Sequence, residues 1–299
     1  SLPFSPDLVW VKGRSTSNDH ELATTVQPLN KALASNISDA EFNTVIEPGT
    51  DSFFLDGTSI YANENNATYI SWNWNAGSST VSNTDGSITS QVRASQTAGM
   101  SVVSYTGSGS TATVGHGLNA ALDFVIIKRR NTTGEWRSWH SALSNTQGID
   151  LNSTGAAFTD DSFNNTIPTS SVFTVKGGVA NVNASSSTYL ALCFSAVAGY
   201  SAFGSYTGNG SSTDGPFVHL GFRPALIIFR NTGGPHIWGI YDSARDTYNV
   251  ADEFLRANGS DAAGTAVGVD FLSNGFKIRG LQGFYNQSGA TILYMAWAE

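Results

Sequence analysis

VFTVKGGVANVNASSSTYLALCFSA, residues Val172–Ala196, opens on a strand-like alternation, turns through a polar stretch around Asn183 and closes on Thr188-Tyr189-Leu190-Ala191-Leu192-Cys193-Phe194. The same block stands twice more, at Ser52–Ala76 and Gly275–Glu299, and the three copies align without a gap. Phe53, Phe173 and Phe276 correspond, as do Leu55, Val175 and Ile278; Gly57, Gly177 and Gly280; Asn63, Asn183 and Asn286; and Thr68, Thr188 and Thr291. Each copy ends in period-two alternation: Ile70/Trp72/Trp74, Leu190/Leu192/Phe194 and Leu293/Met295/Trp297. Such a match is an internal repeat, and it takes precedence over residue-level reading because missing it miscalls the whole fold.

Upstream of each block the correspondence continues. Pro6–Lys12 is an apolar strand, matched by Asp123–Lys128 and Ala225–Arg230, and continuous apolar character implies burial on both faces. His20-Glu21-Leu22 matches Trp136–Trp139 and Trp238–Tyr241; Leu33–Asn36 matches Ile149–Asn152 and Leu255–Asn258. Two copies begin with a Ser-Tyr-Thr-Gly-x-Gly-Ser strand and turn, at Ser104–Ser110 and Ser205–Ser211. The first copy shows only the end of that segment, Leu2-Pro3-Phe4, and is expected to need about 20 more residues with a tyrosine-bearing strand. The organisation expected is therefore repeat one over 1–77 without its first strand, a Ser/Thr-rich insert or extra hairpin over 78–100, repeat two over 101–200 and repeat three over 201–299.

Composition supports strands and turns. Charged residues are 13% and hydrophobic ones 40%, with 31 Gly and 7 Trp, so the chain can build cores yet is poor in helix formers. The expected fold is all-β, three tandem antiparallel β-sandwich repeats of jelly-roll type with little helix. Some helical potential stands near Ala32–Phe42 and Val250–Ala257.

The formal net charge of -8 argues against nucleic acid and anionic membranes, which need clustered cations. Lys128-Arg129-Arg130 is the one dense basic group and reads as a solvated strand end. No apolar run is long enough to span a bilayer. The single Cys193 cannot form an intramolecular disulfide or a Cys-based zinc site. The five histidines follow no metal-ligand spacing, Asp160-Asp161 reads as a solvated loop pair, and no nucleophile elbow is present. The expectation is no enzyme, no cofactor and no metal. Trp136, Trp139, Trp238 and Tyr241 are the candidate binding residues, as aromatic faces on which a sugar could stack.

PDLVWVK (Pro6–Lys12), NTDGSITSQV (Asn83–Val92), SYTGSGSTATVGHGL (Ser104–Leu118), SYTGNGSSTDGPFVHLGFRPA (Ser205–Ala225), DFLSNGFKIR (Asp270–Arg279) and ILYMAWAE (Ile292–Glu299) together resemble a family of repeated β-domains of unknown function in tailed bacteriophages, marine ones especially. The resemblance implies a virion structural protein, a tail-fibre or host-adhesion component at the particle surface. It implies other virion proteins as partners, a host-surface glycan or protein as receptor, and a homo-oligomer with a trimer favoured. It carries no catalytic residues. The alternative from a different class is a carbohydrate-binding module or secreted lectin-like protein.

Overall fold

The computed structural model describes residues 2–299 and is all-β. The first block contains β1 (Leu8–Gly13), β2 (Glu21–Thr24), β3 (Lys31–Ala32), β4 (Phe42–Asn43), β5 (Ile46–Pro48), β6 (Phe53–Leu55) and β7 (Tyr69–Trp74). The insert forms a hairpin, β8 (Val81–Asn83) and β9 (Ser90–Ser95), as its turn residues predict. The second block follows with β10 (Met100–Thr106), β11 (Ala112–Gly115), β12 (Phe124–Arg129), β13 (Arg137–His140), β14 (Gln147–Asp150), β15 (Phe158–Thr159), β16 (Val172–Val175), the single turn α1 (Ala180–Asn183) and β17 (Thr188–Phe194). The third has β18 (Ser201–Thr207), β19 (Phe217–His219), β20 (Leu226–Asn231), β21 (Trp238–Asp242), β22 (Ala251–Arg256), β23 (Gly264–Leu272), β24 (Gly275–Ile278), the turn α2 (Gly283–Asn286) and β25 (Thr291–Trp297). The helical potential near Ala32–Phe42 and Val250–Ala257 is not realised: those stretches hold β3, β4 and β22, where pairing to neighbouring strands overrides local propensity.

Strand order repeats. The second sheet runs β15-β14-β13-β12-β17-β10-β9-β8 and the third β18-β25-β20-β21-β22-β23-β24-β19. Both contain the same antiparallel run: first strand, closing strand, then the three that follow. The first block has only β2-β1-β7, and its closing strand β7 is an edge. Pairing is equivalent to the residue: the N–H groups of Asp7, Asp123 and Ala225 donate to the carbonyls of Trp74, Phe194 and Trp297.

Alternation along the strands sends successive side chains to opposite faces. One face of all three sheets meets in a common core: Leu8, Trp10, Trp72 and Trp74, then Phe124, Ile126, Leu192 and Phe194, then Leu226, Ile228, Met295 and Trp297. The other face fills a core private to each block. Val9 and Val11 lie in the first; Val125, Ile127 and Tyr189 in the second; Ile227 and Phe229 in the third. This explains why β1, β12 and β20 open on unbroken apolar runs, Leu8–Val11, Phe124–Ile127 and Leu226–Phe229. The alternate residues of the closing strands face the common core as expected from their pattern.

Phe173 and Phe276 are fully buried in the private cores, whereas Phe53 is only half-buried. Phe173→Ala should therefore cost about 3–5 kcal/mol, as large aromatic deletions do, and Phe53→Ala clearly less. Denaturant melts of the two variants check this, and equal costs would contradict the difference in burial.

Candidate functional site

The four aromatics chosen as a sugar platform are all inside the protein. Trp136, Trp238 and Tyr241 are 0% exposed and Trp139 only 3%. Trp139 sits in the second private core with its indole N–H on the Ser144 carbonyl at 3.2 Å, and Tyr241 in the third with its hydroxyl on Ala266 O at 3.3 Å. A ring without an exposed face cannot stack on a glycan, so the platform assignment is corrected. The sequence misled because Trp136 and Trp238 are covered from a neighbouring block and Trp139 and Tyr241 by their own block's core, and neither cover shows in a linear reading.

Trp136 and Trp238 instead close a ring among the blocks. Trp136 Nε1 donates to Ala34 O of the first block at 2.8 Å, and Trp238 Nε1 donates to Asp150 O of the second at 3.1 Å. The third contact falls to His20, whose Nε2 donates to Arg256 O at 2.9 Å. Ala34, Asp150 and Arg256 occupy the same place in the repeat. Trp10 Nε1 donates to His20 Nδ1 at 2.8 Å, which fixes the Nε2–H tautomer and lets the imidazole act as the two indoles do. A second equivalent set reinforces the first: the N–H groups of Glu41, Ala157 and Ala263 donate to the carbonyls of Arg130, Thr232 and Arg14.

The basic group also belongs to these junctions and is not a solvated strand end. Lys128 is fully buried and its Nζ donates to Ser38 O at 3.0 Å and Arg129 O at 2.9 Å; Arg130 pairs with Glu41 at 2.8 Å. Lys12 and Arg230 stand at the same position in the other blocks. Burial lowers both lysine pKa values to about 8, with nearby Asp19 and Asp261 opposing at Lys12 and Glu135 and Asp39 at Lys128. Asp160 is likewise not a free loop carboxylate, because it pairs with Arg137 at 3.0 Å. Arg137 also meets Asp150 at 3.0 Å, and burial raises Asp150 to about 6 despite that partner. Among the described residues, no three His, Cys, Asp or Glu side chains are placed to share a metal ion.

A cleft lies along the outer edge of β7. It has a volume of about 460 Å³ and is walled by Ile70, Trp72, Trp74, Tyr200, Leu226 and Trp297. Asp242 lies at its rim, bound by Trp72 Nε1 at 3.2 Å and Arg245 Nε at 2.7 Å. Along β7 the carbonyls of Thr68 and Trp74 bond to the β1 side, so the backbone groups of Ser71 and Asn73 point the other way, into the cleft. In the second and third blocks this edge is filled by β10 and β18.

Those two strands are held by a common device. Tyr105 OH donates to Val182 O at 2.7 Å and Tyr206 OH to Tyr285 O at 2.6 Å. Asn183 Oδ1 accepts from Ser108 N at 2.8 Å while its Nδ2 donates to Ser110 O at 2.6 Å. Asn286 repeats both bonds with Asn209 N at 3.0 Å and Ser211 O at 2.8 Å. The glycine between Thr and this turn is required by close approach: a Cβ on Gly107 or Gly208 would lie 2.3 Å from the Ala184 or Gln287 carbonyl oxygen. The invariance of the asparagine within the repeat was visible in the sequence, but its role as a clamp needed the turn and the helix placed side by side.

No curated protein matches the chain, and no solved structure does. A family model described as a domain of unknown function (DUF7483) matches residues 1–299, and the chain belongs to that family.

Proposed function

We propose that the chain is a non-enzymatic structural component of a tailed-bacteriophage virion, in a tail fibre or host-adhesion part at the particle surface. On this reading its three blocks are tandem β-sandwich units, and other virion proteins are its partners. A host-surface glycan or protein is the proposed receptor, and a homotrimer the proposed assembly. The observation that carries the reading is the closed ring of equivalent bonds, Trp136 to Ala34, Trp238 to Asp150 and His20 to Arg256. A chain that spends its buried aromatics and cations on joining blocks is organised as a rigid body. The motif resemblance gives such a body a place. The lectin alternative rested on Trp136, Trp139, Trp238 and Tyr241 and is not carried further, because their faces are covered.

Mass spectrometry of purified particles should find peptides of this chain at structural stoichiometry. Peptides absent from particles yet present in the lysate would overturn the assignment.

A further inference from the structure

We infer that the cleft along β7 is an acceptor groove for one kind of partner, an extended polypeptide strand of Ser-Tyr-Thr-Gly-x-Gly-Ser type. The inference does not depend on the proposed virion role. It rests on comparing one block with the other two at equivalent atoms.

Part of the surface that β10 and β11, and β18 and β19, cover in blocks two and three is open in block one. Leu55 is 38% exposed, while its equivalents Val175 and Ile278 are both at 0%. Tyr69 is half-buried, whereas its equivalent Tyr189 is buried and stacks on Tyr105 with ring centroids 5.1 Å apart. Phe54 and Ile60 add further exposed apolar surface beside them. The asparagine itself is held as in block three: Asn63 Nδ2 donates to Gly57 O at 2.7 Å, as Asn286 Nδ2 does to the equivalent Gly280 O at 2.8 Å. Among the described residues, nothing donates to Asn63 Oδ1, the atom that in the other blocks receives the turn after Tyr-Thr-Gly.

Backbone and cleft fit the same occupant. The outward groups of Ser71 and Asn73 stand where β17 and β25 bond to β10 and β18. The apolar cleft lies where Met100 and Val102 enter the common core in the second block. Polypeptide added to a sheet edge gains main-chain hydrogen bonds for affinity and side-chain pockets for specificity. The tyrosine would bond to Ala62 O, the counterpart of Val182 O and Tyr285 O.

In the second block β11 runs into Leu118 and then β12; the counterpart of Leu118 is Leu2, whose N–H is fixed on Asp51 O at 2.6 Å. A second strand in the partner polypeptide would pair with β6, as β11 pairs with β16 and β19 with β24.

The test fuses a copy of residues Met100–His116 ahead of Ser1, which preserves the block-two spacing. Amide exchange at Ser71 and Asn73 should slow at least tenfold relative to the 299-residue chain, and Tm should rise by several degrees. Both gains should vanish with Tyr105→Ser in the fused copy, and both should shrink with Asn63→Ala. Unchanged exchange at Ser71 and Asn73 in the fused protein would overturn the acceptor groove. Slowed exchange that survives both substitutions would overturn the proposed Tyr-Thr-Gly recognition.

Discussion

Trp136→Ala should destabilise the protein by about 3–5 kcal/mol, lowering Tm by roughly 10 °C at the usual proportion between stability and melting temperature. The indole is fully buried in the common core, and its Nε1–H also serves the carbonyls of Ala34 and Ile37 at 2.8 and 3.2 Å. Trp136→Phe separates the two contributions. It keeps most of the apolar volume but leaves those carbonyls without their donor, an expected loss of about 1–3 kcal/mol. Thermal melts of both variants, with folded structure confirmed by circular dichroism, decide the matter. A Trp136→Ala protein as stable as the parent would contradict the shared core.

Glu21→Gln should stabilise the protein at pH 8 by about 3 kcal/mol and have little effect near pH 4. Glu21 is 1% exposed and, among the described residues, neither carboxylate oxygen has a hydrogen-bond partner in good geometry. Burial pushes its pKa up to about 7, with Thr44 opposing weakly. A carboxyl raised in the folded state gives full stability below its unfolded pKa of 4.5 and loses it as pH rises through about 7. The adjacent residue tilts the other way. Burial, helped by the Lys12 charge, lowers His20 to about 3 against the Arg256 and Gly259 carbonyls, so its stability holds above pH 6.5 and is lost as pH falls toward about 3. His140, lowered to about 4 by burial, acts in the same direction as His20. Asp150, raised to about 6 by burial, acts with Glu21, so two carboxyls offset two histidines and the parent profile should be nearly level between pH 4.5 and 6. Glu21→Gln should expose the acid-side loss, visible as Tm falling monotonically from pH 7 to pH 4. A parallel displacement of the whole profile would refute the raised carboxyl.

Much of the fold was legible in one dimension because the relevant forces are local. Period-two alternation put Trp72, Trp74, Phe194 and Trp297 on one face, and the turn signal at Asn83–Gly86 marked the hairpin of the insert. The unbroken apolar runs of Leu8–Val11 and Phe124–Ile127 announced two buried faces. What covers the second face did not follow, because contact between blocks depends on their mutual placement. That gap explains both errors of exposure. Trp136 and Trp238 looked accessible, and Lys128 looked solvated, because each is buried by residues more than 80 positions away, among them Ala34, Asp150 and Ser38. At the cleft, the sequence repeat singled out the Tyr-Thr-Gly strands of blocks two and three, whereas Tyr200 and Asp242 carried no signal, since they belong to the joint between blocks.

The bonds that run from His20 to Arg256 and from Ala263 to Arg14 tie the two ends of the sequence together. A linear repeat array can nucleate anywhere and melt from its ends, because each unit touches only its neighbours. Here the third block is also a neighbour of the first, so each of the three touches both of the others. During synthesis the first two blocks must wait, with Trp10, Trp74 and Trp136 lacking part of their cover, until β21 and β25 have left the ribosome. Contacts of such long sequence separation slow folding, since loop-closure entropy is lost before the apolar surface is gained. The molecule should therefore unfold as one cooperative unit and be most open to aggregation while nascent.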